Sequence, residues 1–187
     1  MKTPNTQDVL KSLLAARSIN ETRYFMTECY LDKSDGTAVL IGLDGMRMVY
    51  YKPESRTATA LGLDELPTGY VDIDLKRLVV TACRNPVVKD AQFPNWSRVV
   101  PDSTAEALSE YTFKTPNKVF KIDYSALVWA VKTGITFNPE YLRTVALFDP
   151  HRVYTSIENP KTKAFRINAT FNGGEYNVLI MPTNAGD

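Results

Sequence analysis

The sequence is short of the groups that most chemistry needs. Its 187 residues include one histidine, His151, and two cysteines, Cys29 and Cys83. Two cysteines are too few for a disulfide framework, and their spacing matches no metal motif. They read as buried thiols of a reducing compartment. A Ser-His-Asp or Cys-His arrangement would have to use His151, which follows Asp149-Pro150 in an expected turn and has no accompanying motif. There is no glycine-rich phosphate loop. There is no apolar run of the ~18 residues that a membrane helix needs. Met1 to Thr6 lacks the apolar stretch of a secretory signal. The Asn-x-Ser/Thr strings at Asn20, Asn95 and Asn168 therefore read as chance matches. The expectation is a cytoplasmic protein that is not an enzyme, with no cofactor and no metal.

An excess of one charge is also missing. Lys and Arg number 22 against 21 Asp and Glu, for a net charge of +1. That argues against bulk electrostatic attachment to nucleic acid. It leaves room for a protein that encircles DNA, which needs positive charge only on its inner wall. Hydrophobic residues make up 44% of the chain, enough to fill a core.

The patterning predicts an α+β protein. Asn5 or Thr6 caps a first helix, with Asp8 in its first turn, an apolar stripe of Val9, Leu10, Leu13 and Leu14, and Asp8, Lys11, Ser12 and Ala15 opposite. Asn20 is expected to end it. Three strands follow: 23–32, 37–43 and 46–52, separated by the hairpin signals Asp35-Gly36 and Asp44-Gly45. The last third repeats this plan. A short strand is expected over 134–137, and Asn138-Pro139-Glu140 opens a helix carrying Tyr141, Leu142 and Val145. Strands over 152–158, 164–170 and 175–181 are joined by Asn159-Pro160 and Asn172-Gly173-Gly174. The chain then reads as one domain, 1–187, with repeat one at 5–52, a divergent middle at 53–133 and repeat two at 134–182. In the middle, 54–67 reads as a loop, 70–73 as a strand and 75–84 as a helix. Residues 110–114 and 118–123 read as a strand pair, and 124–132 is open between helix and strand. Asp72 and Asp74 flank Ile73 and share one strand face. They could hold a metal, although a solvated face is the commoner arrangement. Trp96 and Trp129 could stack on bases, although Trp in a core is commoner.

Three separated strings carry more. They are Gly42-Leu43-Asp44-Gly45-Met46-Arg47-Met48, Phe93-Pro94-Asn95-Trp96-Ser97-Arg98-Val99-Val100-Pro101 and Tyr176-Asn177-Val178-Leu179-Ile180-Met181-Pro182. Together they resemble the polymerase-docking groove of the bacterial DNA polymerase III beta subunit, the sliding clamp. Thr22 to Met26 followed by Leu43 to Arg47 is similar to the opening of the clamp's middle domain. Phe93 to Pro101 is similar to the connector between its middle and last domains. Ile135 to Leu142 and the closing strands are similar to the end of its last domain. The likeness covers the first ~55 residues, a ~10-residue connector and the last ~55. Nothing matches the first clamp domain. Met46 stands where the family's Thr-Asp-Gly-His-Arg has His, and Thr183 to Asp187 replaces the usual Met-Arg-Leu ending. So short a relative suits a phage or other mobile element.

The resemblance implies a DNA-clamp fold with two helix-plus-three-strand repeats. It implies a non-catalytic processivity factor that binds double-stranded DNA without sequence preference, docks a polymerase or clamp-loader peptide, and forms a homo-oligomer. The apolar lining implied for the groove is Met26, Leu43, Met48 and Val99 with Leu179, Ile180, Met181 and Pro182. Gly45, Met46 and Pro94 shape it, and Arg47 and Arg98 stand at its rim. The cations implied to face DNA phosphates are Lys11, Lys76, Arg77, Arg84 and Arg143. The alternative is a clamp-fold mimic or interaction module that binds replication proteins without encircling DNA. A third reading is an enzyme using His151 or the Asp72/Asp74 pair.

Overall fold

The first helix starts where a reciprocal cap can hold it. In the computed structural model, α1 spans Thr6–Ala15. The Asn5 side chain accepts from the Asp8 amide at 3.0 Å, and the Asp8 carboxylate accepts from the Asn5 amide at 3.0 Å. Two amides that the helix leaves unpaired are thereby satisfied, and an acid sits at the positive helix end. Val9, Leu10 and Leu13 are buried as expected. Ser12, expected on the solvent side, is buried too. Its hydroxyl donates to the Val9 carbonyl at 2.7 Å and accepts from the Tyr176 hydroxyl at 2.9 Å, so burial leaves it paired.

The structure describes residues 5–101, 108–113, 132–138, 140–141, 151–156 and 161–183. The chain divides into two compact units. One comprises 1–95 with 170–176, and the other 96–169 with 177–187.

In the first unit, Asn20 does not end α1, which stops at Ala15. Asn20 instead caps a 3-10 helix, Glu21–Met26, by accepting from the Thr22 amide at 3.0 Å. The strand expected from Arg23 therefore begins only at Cys29. A local cap outweighs the β preference of Tyr24 and Phe25. Strands β1 (Cys29–Asp32), β2 (Val39–Leu43), β3 (Arg47–Lys52), β4 (Gly69–Asp74) and β5 (Val79–Ala82) lie in the order β5-β4-β1-β2-β3, with every pairing antiparallel. β2 is buried at all positions, as its unbroken apolar run predicts. α1 packs directly on it. A Cβ added to Gly42 would lie 2.2 Å from the Leu13 carbonyl oxygen.

Two expectations for the middle segment fail. The loop at 54–67 contains a short helix, α2, at Ser55–Ala60. The helix at 75–84 is absent, because 75–78 is a hairpin turn that leads into β5. One Asp74 carboxylate oxygen accepts the Lys76 and Arg77 amides at 2.8 and 3.0 Å, which closes the turn. The β-branched Val79, Val80 and Thr81 then pair with β4. The tip of a later hairpin completes this unit. Asn172 and Gly173 adopt positive φ, 45° and 74°, as a two-residue primed turn requires.

In the second unit, β6 (Leu108–Phe113), β7 (His151–Ser156), β8 (Phe165–Phe171) and β9 (Gly174–Ile180) give the order β9-β8-β7-β6, the hairpin tip just described belonging to the first unit. His151 opens β7 opposite Phe113, not in a turn. No strand forms over 134–137. The Thr136 carbonyl instead accepts from the Thr183 amide at 2.8 Å. Phe137 packs edge-on to Phe165 at 5.1 Å. Asn138 caps as expected, its side chain accepting from the Glu140 amide at 3.0 Å. The strand at 118–123, the segment 124–131 and the helix beyond Tyr141 lie outside the described residues.

Candidate functional site

The Asp44-Gly45 turn organises the first group of expected site residues. One Asp44 carboxylate oxygen accepts the Met46 and Arg47 amides at 2.8 and 2.7 Å, and Gly45 takes φ +94°. The 3-10 helix lies against this turn. Arg23 donates to the Asp44 carbonyl at 2.9 Å, and a Cβ on Gly45 would lie 2.4 Å from Arg23 Nη1 and 4.0 Å from Met26 Sδ. Met26, Gly45 and Met46 are thus gathered with Arg23. Leu43 and Met48 face each other across β2 and β3 and are buried beneath. Met46 and Tyr24 stay exposed, at 38% and 44%.

Arg47 does not stand at a rim. Its guanidinium donates to the Ala15 carbonyl and lies 3.6 Å from the Asp44 carboxylate. It thus satisfies the negative end of α1. The exposed cation here is Arg23. The sequence carries it inside the Thr22 to Met26 string, but an expected strand hid its role.

The connector is anchored before it reaches its own site residues. Phe93 stacks on Tyr30 at 4.3 Å and meets Tyr70 edge-on at 5.8 Å. Pro94 beside it is half-buried. In the second unit, Arg98 is exposed on a 3-10 helix, Trp96–Val99, with Val99 50% exposed. Leu179 and Ile180 are buried, whereas Met181 and Pro182 are half-buried. Of the expected apolar residues, those left accessible are Met26 and Met46 in the first unit, and Val99, Met181 and Pro182 in the second.

Of the expected DNA-facing cations, Lys11 alone among the described residues lies on a helix, on the exposed side of α1. Lys76 and Arg77 sit in the β4–β5 turn, and Arg77 Nε is 3.9 Å from the Asp74 carboxylate. Arg84 is exposed beyond β5. Arg143 lies outside the described residues.

Asp72 is not joined by Asp74, whose carboxylate is engaged by turn amides that hold it below its ordinary range. It is joined by Glu28 and Cys83, with donor atoms within 4.8 Å of one another. Each already has a protein partner. Arg17 pairs with Glu28 at 2.8 Å, the Arg84 amide donates to Asp72 at 3.2 Å, and the Asn85 amide donates to the Cys83 sulfur at 3.4 Å. Both cysteines are free thiols. Cys29, expected to be buried, is so, and desolvation pushes its thiol up to about 12. Cys83 is only partly buried.

No family model and no curated protein matches the sequence. Solved structures do. The DNA polymerase III beta chain of Streptococcus pneumoniae superposes with a TM-score of 0.62 at 12% identity, covering 99% of this chain and 64% of that one. The Thermotoga maritima beta subunit gives 0.61 at 14%, covering 96% and 63%. The fold is that of the bacterial sliding clamp. The Bartonella birtlesii clamp, solved bound to griselimycin, gives 0.57 at 16% identity, covering 96% and 63%. The chain thus spans a little under two thirds of the length of these clamps. The likeness supports the α+β clamp fold and the repeat of one helix with three strands. α1 with β1–β3 forms the first repeat. For the second, β7–β9 are present, and the helix expected after Asn138 lies outside the described residues. No described helix is long and apolar enough to cross a membrane.

Proposed function

We propose that this chain is a non-catalytic, sliding-clamp-like processivity factor that acts as a homo-oligomer on double-stranded DNA. The observation that carries the reading is the clamp fold over nearly the whole chain. A polymerase or clamp-loader peptide with apolar anchors docks on Met26, Gly45 and Met46 of the first unit and on Val99, Met181 and Pro182 of the second. Leu43, Met48, Leu179 and Ile180 back these positions, and Pro94 and Arg98 flank them. Arg47 fixes the turn to α1. Lys11, Lys76, Arg77, Arg84 and Arg143 meet phosphates, which positions DNA without reading its sequence. Residues 1–187 work as one clamp-like domain.

The test has two arms. On closed circular DNA the loaded protein is retained, and linearising the DNA releases it, since a net charge of +1 gives little hold on open duplex. Equal retention on both forms refutes the topological mechanism. In the second arm, Met181→Asp weakens binding of a polymerase-derived peptide by more than ~1.4 kcal/mol, or about tenfold, because it places a charge in an apolar contact. An unchanged circular dichroism spectrum with unchanged peptide affinity refutes the site.

The second reading is a clamp-fold mimic that binds replication proteins without encircling DNA. The net charge of +1, which gives little electrostatic hold on duplex DNA, favours it. Light scattering after size exclusion separates the two, since the first reading requires a homo-oligomer and the second does not.

A further inference from the structure

A cavity of about 560 Å³ opens in the first unit where the start of α1, α2, the β4–β5 turn and the β8–β9 turn meet. That volume suits a small-molecule ligand. Arg56 and Arg77 both line it. Arg56 is exposed and has no hydrogen bond or ion pair within the described residues, and Arg77 has only the 3.9 Å contact with Asp74. Two such guanidiniums suit the geometry of a phosphoryl group. Leu61 and Leu78 supply apolar wall. Leu78 takes φ 55°, a left-handed conformation strained for leucine, and it lines the cavity. Glu54 lines the cavity as well, with its carboxylate against Gly173, where a Cβ would lie 2.4 Å from it. One carboxylate against two guanidiniums leaves the lining net positive, yet it disfavours a ligand rich in carboxylates.

We propose that this cavity binds a phosphorylated, ring-bearing group of nucleotide size, its phosphoryl held by Arg56 and Arg77 and its ring against Leu61 and Leu78. Glu54 then accepts from a sugar hydroxyl or a ring amine. A free mononucleotide and the 5′-phosphorylated end of a DNA strand carry the same chemistry. Arg77 is shared with the DNA-facing set, but Arg56 belongs to neither that set nor the peptide contacts, so Arg56→Gln tests this site apart from the clamp reading.

The experiment is calorimetry on the full chain with deoxyadenosine 5′-monophosphate, deoxyadenosine, inorganic phosphate, and one oligodeoxynucleotide with and without a 5′-phosphate. At least one of the two phosphorylated ring ligands binds saturably. Its counterpart lacking the phosphate binds about tenfold weaker or not at all, and so does inorganic phosphate. Binding of the mononucleotide identifies a free nucleotide as the source, and binding of the oligonucleotide alone identifies a strand end. Arg56→Gln and Arg77→Gln each lower the affinity about tenfold, while melting temperature and retention on circular DNA under Arg56→Gln stay as in the parent. No saturable binding of either phosphorylated ligand, equal binding of nucleoside and nucleotide, or undiminished binding by Arg56→Gln overturns the proposal.

Discussion

Gly42→Ala sets two opposing effects against each other. A glycine inside a strand is conformationally costly, and alanine is ordinarily better by roughly 0.5–1 kcal/mol. Gly42 lies inside β2, has no positive φ, and should therefore gain. Its surroundings reverse the sign. The new Cβ would lie 2.2 Å from the Leu13 carbonyl oxygen and 3.0 Å from the Leu13 carbonyl carbon. These are backbone atoms of a helix, so no rotamer change relieves the clash. α1 must retreat by about 1 Å for an ordinary van der Waals contact. That movement loosens the packing of Val9, Leu10 and Leu13, all at 0% exposure. Overpacking costs about 1–3 kcal/mol, and a rigid partner sets this case at the upper end, so we expect a net loss of about 2–3 kcal/mol. For a chain of this size that lowers the melting temperature by roughly 4–12 °C. Gly36→Ala is the control. Nothing lies within 4 Å of its Cβ, and only its φ of +73° is strained, costing about 1–2 kcal/mol. The measurement is urea and thermal unfolding of parent and both variants. A Gly42→Ala protein as stable as the parent, or more stable, would show that α1 does not sit on β2 as described.

Two further outcomes follow. Asn5→Ala removes one half of the capping box and should cost about 1 kcal/mol by urea unfolding, with Asn5→Asp recovering most of it. Cys29 should resist thiol reagents until the protein unfolds, while the partly buried Cys83 reacts first. Because burial raises the Cys29 thiol from 9.0 to about 12, the folded state keeps its proton where the unfolded chain loses it. Its contribution is therefore intact below pH 9 and declines as pH rises toward 12. Cys29→Ala should flatten that alkaline loss in a stability-against-pH series.

The parts of the fold legible in the sequence were those where one local signal acts alone. β2 is an unbroken apolar run, and Asp35-Gly36, Asp44-Gly45 and Asn172-Gly173 each turn with a glycine at positive φ. The misreadings fall where two signals compete. Tyr24 and Phe25 favour a strand, but Asn20 caps the residues before them into a 3-10 helix. Leu75, Leu78 and Val79 have helical spacing, but Asp74 gathers two turn amides and β4 offers a partner strand. The candidate site divides in the same way. Met26 beside Gly45 was readable from the family strings. The inward course of Arg47 was not, because its partner is the end of α1, and only the folded chain brings that carbonyl near.

The Tyr176–Ser12 bond has a consequence for synthesis. It joins residues 164 positions apart within one compact unit, and residues 170–176 complete that unit. On a ribosome, α1 and β1 to β5 emerge long before that hairpin tip. Until it arrives, Ser12 lacks the hydroxyl that covers it, and the nascent unit waits with part of its interior uncovered. Such distant closure slows folding and exposes an intermediate to aggregation. The first unit is thus made early and finished late, and a ribosome stalled between the two would carry it as a client for chaperones.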